Sequence, residues 1–188
     1  MKKLIAMLLA LTLVVAFAGC NKEEPQAETV EALTAMTTLA TAYNTKYEGT
    51  DFQLPLMGGG YENMNMEGPA AVLESDTAYL TSTLLIPEAE LSKVSAAASA
   101  QHAMMTNNFC AGAYNLNDAD LGAFAAAVRN AIQGNRWMCG FPEKLLIADV
   151  GNCVVVVYGN GALVDNFNGV IGETYSSAHI LYNEAIEG

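Results

Sequence analysis

The chain opens on a block of apolar residues and then turns periodic. Leu4 to Phe17 is apolar at every position but Thr12, a run too short to cross a bilayer comfortably. After a polar stretch at 21–28, Val30, Leu33, Met36, Leu39, Ala40, Tyr43 and Tyr47 recur at three- and four-residue steps, which predicts an amphipathic helix over 29–47. Residues 48–71, with Gly58-Gly59-Gly60, Asn63, Asn65, Gly68 and Pro69, break every period and read as loop. A second helix is expected over Leu73–Leu85, and Pro87 with Glu88 and Glu90 starts a short turn. The Ala- and Ser-rich segment 97–103 fits either helix or extended chain.

The second half is more explicit. Met105–Tyr114 predicts a strand, and Asn117 or Asp118 is placed to cap a helix whose apolar face is Leu121, Phe124, Ala125, Val128 and Ile132 and which ends near Gly134. Lys144–Val150 and Cys153–Tyr158 predict two strands joined at Gly151-Asn152, a tight-turn dipeptide. The run Val154–Val157 is apolar on both faces, so its strand should be central or covered by helices. Leu163–Ile171 reads as a weak strand or loop, and Ser176 or Ser177 as the cap of a terminal helix carrying Ile180, Leu181 and Ala185. The fold class is α+β: a small, mostly antiparallel sheet, with a C-terminal hairpin, packed by amphipathic helices.

The apolar block gains meaning from its flanks. Met1-Lys2-Lys3 precedes it and Phe17-Ala18-Gly19-Cys20 ends it, the pattern of a bacterial lipoprotein signal in which the Cys20 thiol is acylated and becomes the mature N-terminus. The organisation expected is therefore a signal peptide at 1–19, a lipidated tether at 20–28 and a single α+β domain at 29–188. Acyl chains contribute ~0.8 kcal/mol per buried methylene, so two of them hold a domain at the outer face of a membrane without a transmembrane helix. With 8 Lys+Arg against 20 Asp+Glu the chain carries a net charge of −12. Loss of Lys2 and Lys3 with the signal leaves six basic residues against 20 acids, net −14. That balance argues against nucleic-acid binding and leaves the lipid, not surface charge, to hold the protein at the membrane.

The segments Val128-Arg129-Asn130-Ala131-Ile132, Gly140-Phe141-Pro142-Glu143-Lys144 and Ala148-Asp149-Val150-Gly151-Asn152-Cys153, followed by Val154–Val157, resemble the domain-of-unknown-function 4358 family, small lipoproteins of Gram-positive anaerobes. The resemblance spans about residues 77–168. It implies a strand, a helix bearing Arg129, a proline-containing turn and a hairpin at Gly151-Asn152. The family's first strand tends to carry an acid where Asn107-Asn108-Phe109 stands here, and its pattern does not include these cysteines. No activity is assigned to the family, so the resemblance implies location and fold and no reaction.

With Cys20 lipidated, Cys110, Cys139 and Cys153 remain. A helix over 118–136 rises roughly 28 Å and runs back along a strand on which Cys110 lies ~23 Å before the turn, which brings Cys139 towards Cys110 and leaves Cys153 at the far end of the hairpin. Either Cys110 and Cys139 form a disulfide, or all three are buried thiols. His102 and His179 sit in no ligand-spaced cluster, and Asn115, Asn117, Asp118 and Asp120 lack the spacing of a calcium loop. Gly58-Gly59-Gly60 lacks the Lys of a phosphate loop. Met64, Met66, Met104, Met105, Trp137, Met138 and Phe141 could line a pliable apolar groove, although such residues are more often core.

No cofactor is expected. The leading expectation is a membrane-anchored, extracytoplasmic, non-enzymatic domain for an unidentified protein or small-molecule partner. The alternative is a thiol-dependent or hydrolytic envelope enzyme using Cys110 or Cys139, with His102 as base.

Overall fold

The computed structural model describes residues 30–117, 119–138 and 140–187. Its elements in chain order are α1 (Ala32–Lys46), β1 (Leu56–Met57), β2 (Ala70–Val72), α2 (Thr77–Ser82), β3 (Val94–His102), β4 (Phe109–Leu116), α3 (Leu121–Gln133), β5 (Lys144–Val150), β6 (Cys153–Gly159), α4 (Gly161–Thr174) and β7 (His179–Ala185). The seven strands form one sheet in the order β1-β3-β4-β6-β5-β7, with β2 beside β1 on the free edge of β3. Every pairing is antiparallel. The fold is α+β as expected, with a larger sheet than the sequence suggested.

The four-valine strand decides the layering. All seven residues of β6 are buried, and their side chains alternate between two cores. Cys153, Val155 and Val157 pack with Met36, Leu39 and Tyr43 of α1 and with Phe167 and Ile171 of α4. Val154, Val156 and Tyr158 pack with Tyr79 and Leu80 of α2 and with Phe124, Val128 and Ile132 of α3. Helices therefore cover both faces, which is why the strand needs no polar side. Under α1, strands β3 and β4 present the buried small side chains Ala98, Ala100, Ala111 and Ala113, and Phe109 of β4 meets Tyr43 of the helix (6.3 Å).

The hairpin turn behaves as its sequence requires. Gly151 and Asn152 have φ of 58° and 66°, the paired positive values of the turn whose twist matches that of the strands. Helix α3 is capped one turn later than predicted: Asp120, not Asn117, accepts from Ala123 N at 3.1 Å, and Asp118 lies outside the described residues. The second helix shrinks to Thr77–Ser82, capped by buried Asp76, and Pro87 does open a short 3-10 segment at Glu88–Lys93. Residues 94–102 resolve as extended chain, and the loop at 48–71 contributes the two short edge strands β1 and β2.

Two predictions fail. Leu163–Ile171 is helical, because Asn160 Oδ1 accepts from Ala162 N and Leu163 N at 3.1 and 3.4 Å, and Leu163, Val164, Phe167, Val170 and Ile171 make one buried stripe. Gly161, Gly169 and Gly172 dilute that stripe in the sequence. The terminal segment is strand β7 instead of a helix. It satisfies the open edge of β5, with a bulge between Ile147 and Ala148, and Leu181, Tyr182 and Glu184 are its half-buried positions.

Replacing Phe167, fully buried against Phe109 (5.3 Å) and Tyr43 (5.7 Å), by Ala should cost about 3–5 kcal/mol in urea unfolding. An unchanged midpoint would refute the two-faced core.

Candidate functional site

Chain entry and exposed loops lie at opposite ends of the sheet. At one end Val30 N donates to Gly151 O (3.0 Å), and the Asn115 amide grips the incoming chain on both sides: its Nδ2 donates to Val30 O (2.8 Å) and its Oδ1 accepts from Ala32 N (2.7 Å). Because Glu31 makes no side-chain cap for α1, Asn115 supplies that cap from strand β4. At the other end, about 23 Å away along the seven residues of β6, Asn160 N donates to Asn108 O (2.9 Å) and the loops 103–108 and 134–143 meet.

Those loops are joined by Asn107 Nδ2 donating to Gly140 O at 3.2 Å. They border a hollow of about 380 Å3 lined by Met104, Met105, Thr106, Asn107 and Gly140. Met104 is 82% exposed, Met138 90%, Phe141 71% and Met105 58%. His102 braces this turn: its Nδ1 accepts from Met104 N and Met105 N, each at 3.2 Å. Of the residues that the sequence groups here, Met104 and Met105 line this hollow beside Gly140, and Met138 and Phe141 flank that glycine in the chain. The hollow does not include Met64 and Met66, exposed on the loop beside β1, or Trp137, which turns inward onto Tyr158 at 5.2 Å.

Beneath this end, on the face of α2 and α3, successive partners across the sheet are Gln101, Cys110, Tyr158, Leu145 and Glu184. Tyr158 Oη donates to Thr83 O at 2.7 Å, and Cys110 Sγ lies 4.0 Å from the same carbonyl. Gln101 Oε1 and Trp137 Nε1 are buried and have no hydrogen-bond partner. Burial pushes the Cys110 thiol up to about 12, so it holds its proton at any physiological pH. His102 follows Gln101 on the strand and so projects from the opposite face to Cys110, out of reach as a base. The alternative catalytic pair of Cys110 and His102 is therefore not assembled. Cys110 is a free thiol, and Cys139, its expected disulfide partner and the other candidate nucleophile, lies outside the described residues, as does the lipidation candidate Cys20.

Cys153 is also a free, buried thiol, on the opposite core from Cys110 and at the opposite strand end, and burial likewise raises it to about 12. His179 starts the edge strand β7. The Arg129 guanidinium meets Glu184 of β7 (Nε to Oε1, 2.6 Å) and lies 5.4 Å from the Tyr182 ring; this ion pair holds the Glu184 carboxyl below its ordinary range. The glycine run serves packing: a Cβ on Gly58 would come within 2.4 Å of Ala70 N and Ser99 O, and Gly59 O accepts from the buried Ser99 hydroxyl at 2.8 Å.

Other hollows are larger. Two grooves of about 600 Å3 meet at Ser95 near the chain entry, one reaching Glu31 and Asn115, the other Glu74 and Asn117. Neither gathers groups that would do chemistry together. Among the described residues no group of three or more His, Cys, Asp and Glu is placed to hold a metal, and no helix is long and apolar enough to cross a membrane. The chain matches no protein-family model, no curated protein and no solved structure.

Both thiols protected by burial should resist iodoacetamide in the native protein at about pH 8 and react at once in urea, read by mass after digestion. Since the folded state disfavours their thiolates while the unfolded chain ionises near 9, the thiols' contribution to stability should be level from neutral pH to about 9 and fall from there towards 12. Rapid native alkylation of Cys110 would contradict its burial.

Proposed function

We propose that this is a lipid-anchored extracytoplasmic protein whose domain acts by binding. The observation that carries the reading is the N-terminal pattern: Lys2-Lys3, the apolar run to Phe17, and Ala18-Gly19 before Cys20. The domain geometry is consistent with it. Residue 30 enters the fold at the Gly151–Asn152 end, so a tether of residues 20–28 would join the domain there and leave the loops bearing Met104, Met105 and Met138 facing away from the anchored surface. The resemblance carried by Arg129 and Gly151-Asn152 points the same way, since members of that family are small lipoproteins. A binding role fits better than catalysis by Cys110, which is buried, protonated and without a base. Four of the five basic residues at 30–187, namely Lys46, Lys93, Arg129 and Lys144, are tied to carboxylates, which leaves little positive charge for an anionic partner.

Mass spectrometry of the native protein should find the chain beginning at a diacylglyceryl Cys20. Cys20→Ser should abolish that mass and release the protein from the membrane fraction. An unmodified N-terminus at Met1 would overturn the reading.

A further inference from the structure

Methionine lies at the surface of this fold more often than leucine does. Of the seven methionines at 30–187, Met64, Met66, Met104, Met105 and Met138 are exposed, whereas among the leucines there only Leu33 and Leu73 are. Met36 is buried and Met57 half-buried, so the exposed thioethers are the ones that loops carry. Three of those five sit on the two loops that Asn107 joins to Gly140. Met104 and Met105 line the hollow beside Gly140, and Met138 stands two residues before that glycine. Besides the two methionines the hollow is lined by Thr106, Asn107 and Gly140, with no aliphatic or aromatic side chain of the kind an apolar docking groove needs.

We propose that Met104, Met105 and Met138 form a binding site for a soft monovalent metal ion, Cu(I) or its analogue Ag(I). Thioethers select such ions, which accept two to four soft ligands without a carboxylate. Hard and borderline divalent ions find no donor set among the described residues. The site is held open from two sides: His102 fixes the turn through the Met104 and Met105 amides, and the Asn107–Gly140 bond fixes the distance to the second loop. The high exposure of Met104 and Met138 leaves their side chains free to close on an ion. Binding is pure coordination with no electron transfer. It also releases no proton, because a thioether has none to lose, so affinity does not depend on pH in the range where thiolate or imidazole sites weaken. The site supplies a ligand class for the binding role proposed above and borrows from that reading only its compartment.

The test is calorimetric titration of the full chain in mild detergent with Ag(I), at about pH 7.5 and about pH 5. One ion per chain should bind at both, with shifts confined to the methyl resonances of Met104, Met105 and Met138. Met104→Leu/Met105→Leu/Met138→Leu keeps the apolar surface and the fold, verified by an unchanged unfolding curve, and should lose the ion. Cys139→Ser should retain it. Three results would overturn the site: no binding by the wild type, equal binding by the triple variant, or loss with Cys139→Ser or at low pH, which would mark a thiolate site. Failure of the anchor reading shows separately, in the mass at Cys20.

Discussion

Burial of β6 on both faces is the constraint from which the rest of the structure follows. A strand with Val154–Val157 at its centre has no side to give to water, so helices must close over both surfaces of the sheet. An antiparallel sheet usually leaves one face wet. Here α1 and α4 take one face and α2 and α3 the other, and each strand position is assigned to a core by parity. The two cysteines illustrate the consequence. Cys110 and Cys153 differ in parity and in strand end, so they sit in separate cores and are shielded independently.

This explains which parts of the fold were legible in the sequence. Helices α1 and α3 and the β5–β6 hairpin announce themselves through period and turn, although the cap of α3 is Asp120 and not Asn117: both helices carry a buried stripe, Gly134 ends the second, and Gly151-Asn152 takes the positive φ values of a tight turn. Helix α4 was hidden because three glycines thin its pattern, and only the Asn160 cap and the Leu163–Ile171 stripe, read together, reveal it. For β7 local sequence is ambiguous, since Ile180, Leu181 and Tyr182 suit either state, and the open edge of β5 decided the outcome. Context of that kind does not exist until the sheet has formed.

The candidate site was legible in a different way. Composition picked out the exposed methionines and Phe141 as a group, but only the fold shows that two loops separated by helix α3 meet at Asn107 and Gly140, that Met64 and Met66 lie elsewhere, and that Trp137 faces inward. The thiol chemistry suggested by Cys110 and His102 dissolves for a reason sequence spacing does not carry, because adjacent register positions on β3 and β4 put them on opposite faces.

The grip of Asn115 on Val30 and Ala32 has a mechanical meaning. Tension arriving through the N-terminal segment reaches the domain at the end of its most central hairpin, where the Val30–Gly151 bond and the Asn115 amide bear the load before α1 is strained. Traction at that point is taken up by strands inside the sheet, through Asn115 of β4 and the β5–β6 turn, and not by an edge strand. A domain gripped in this way can be pulled from its N-terminus without its distal loops losing their mutual spacing.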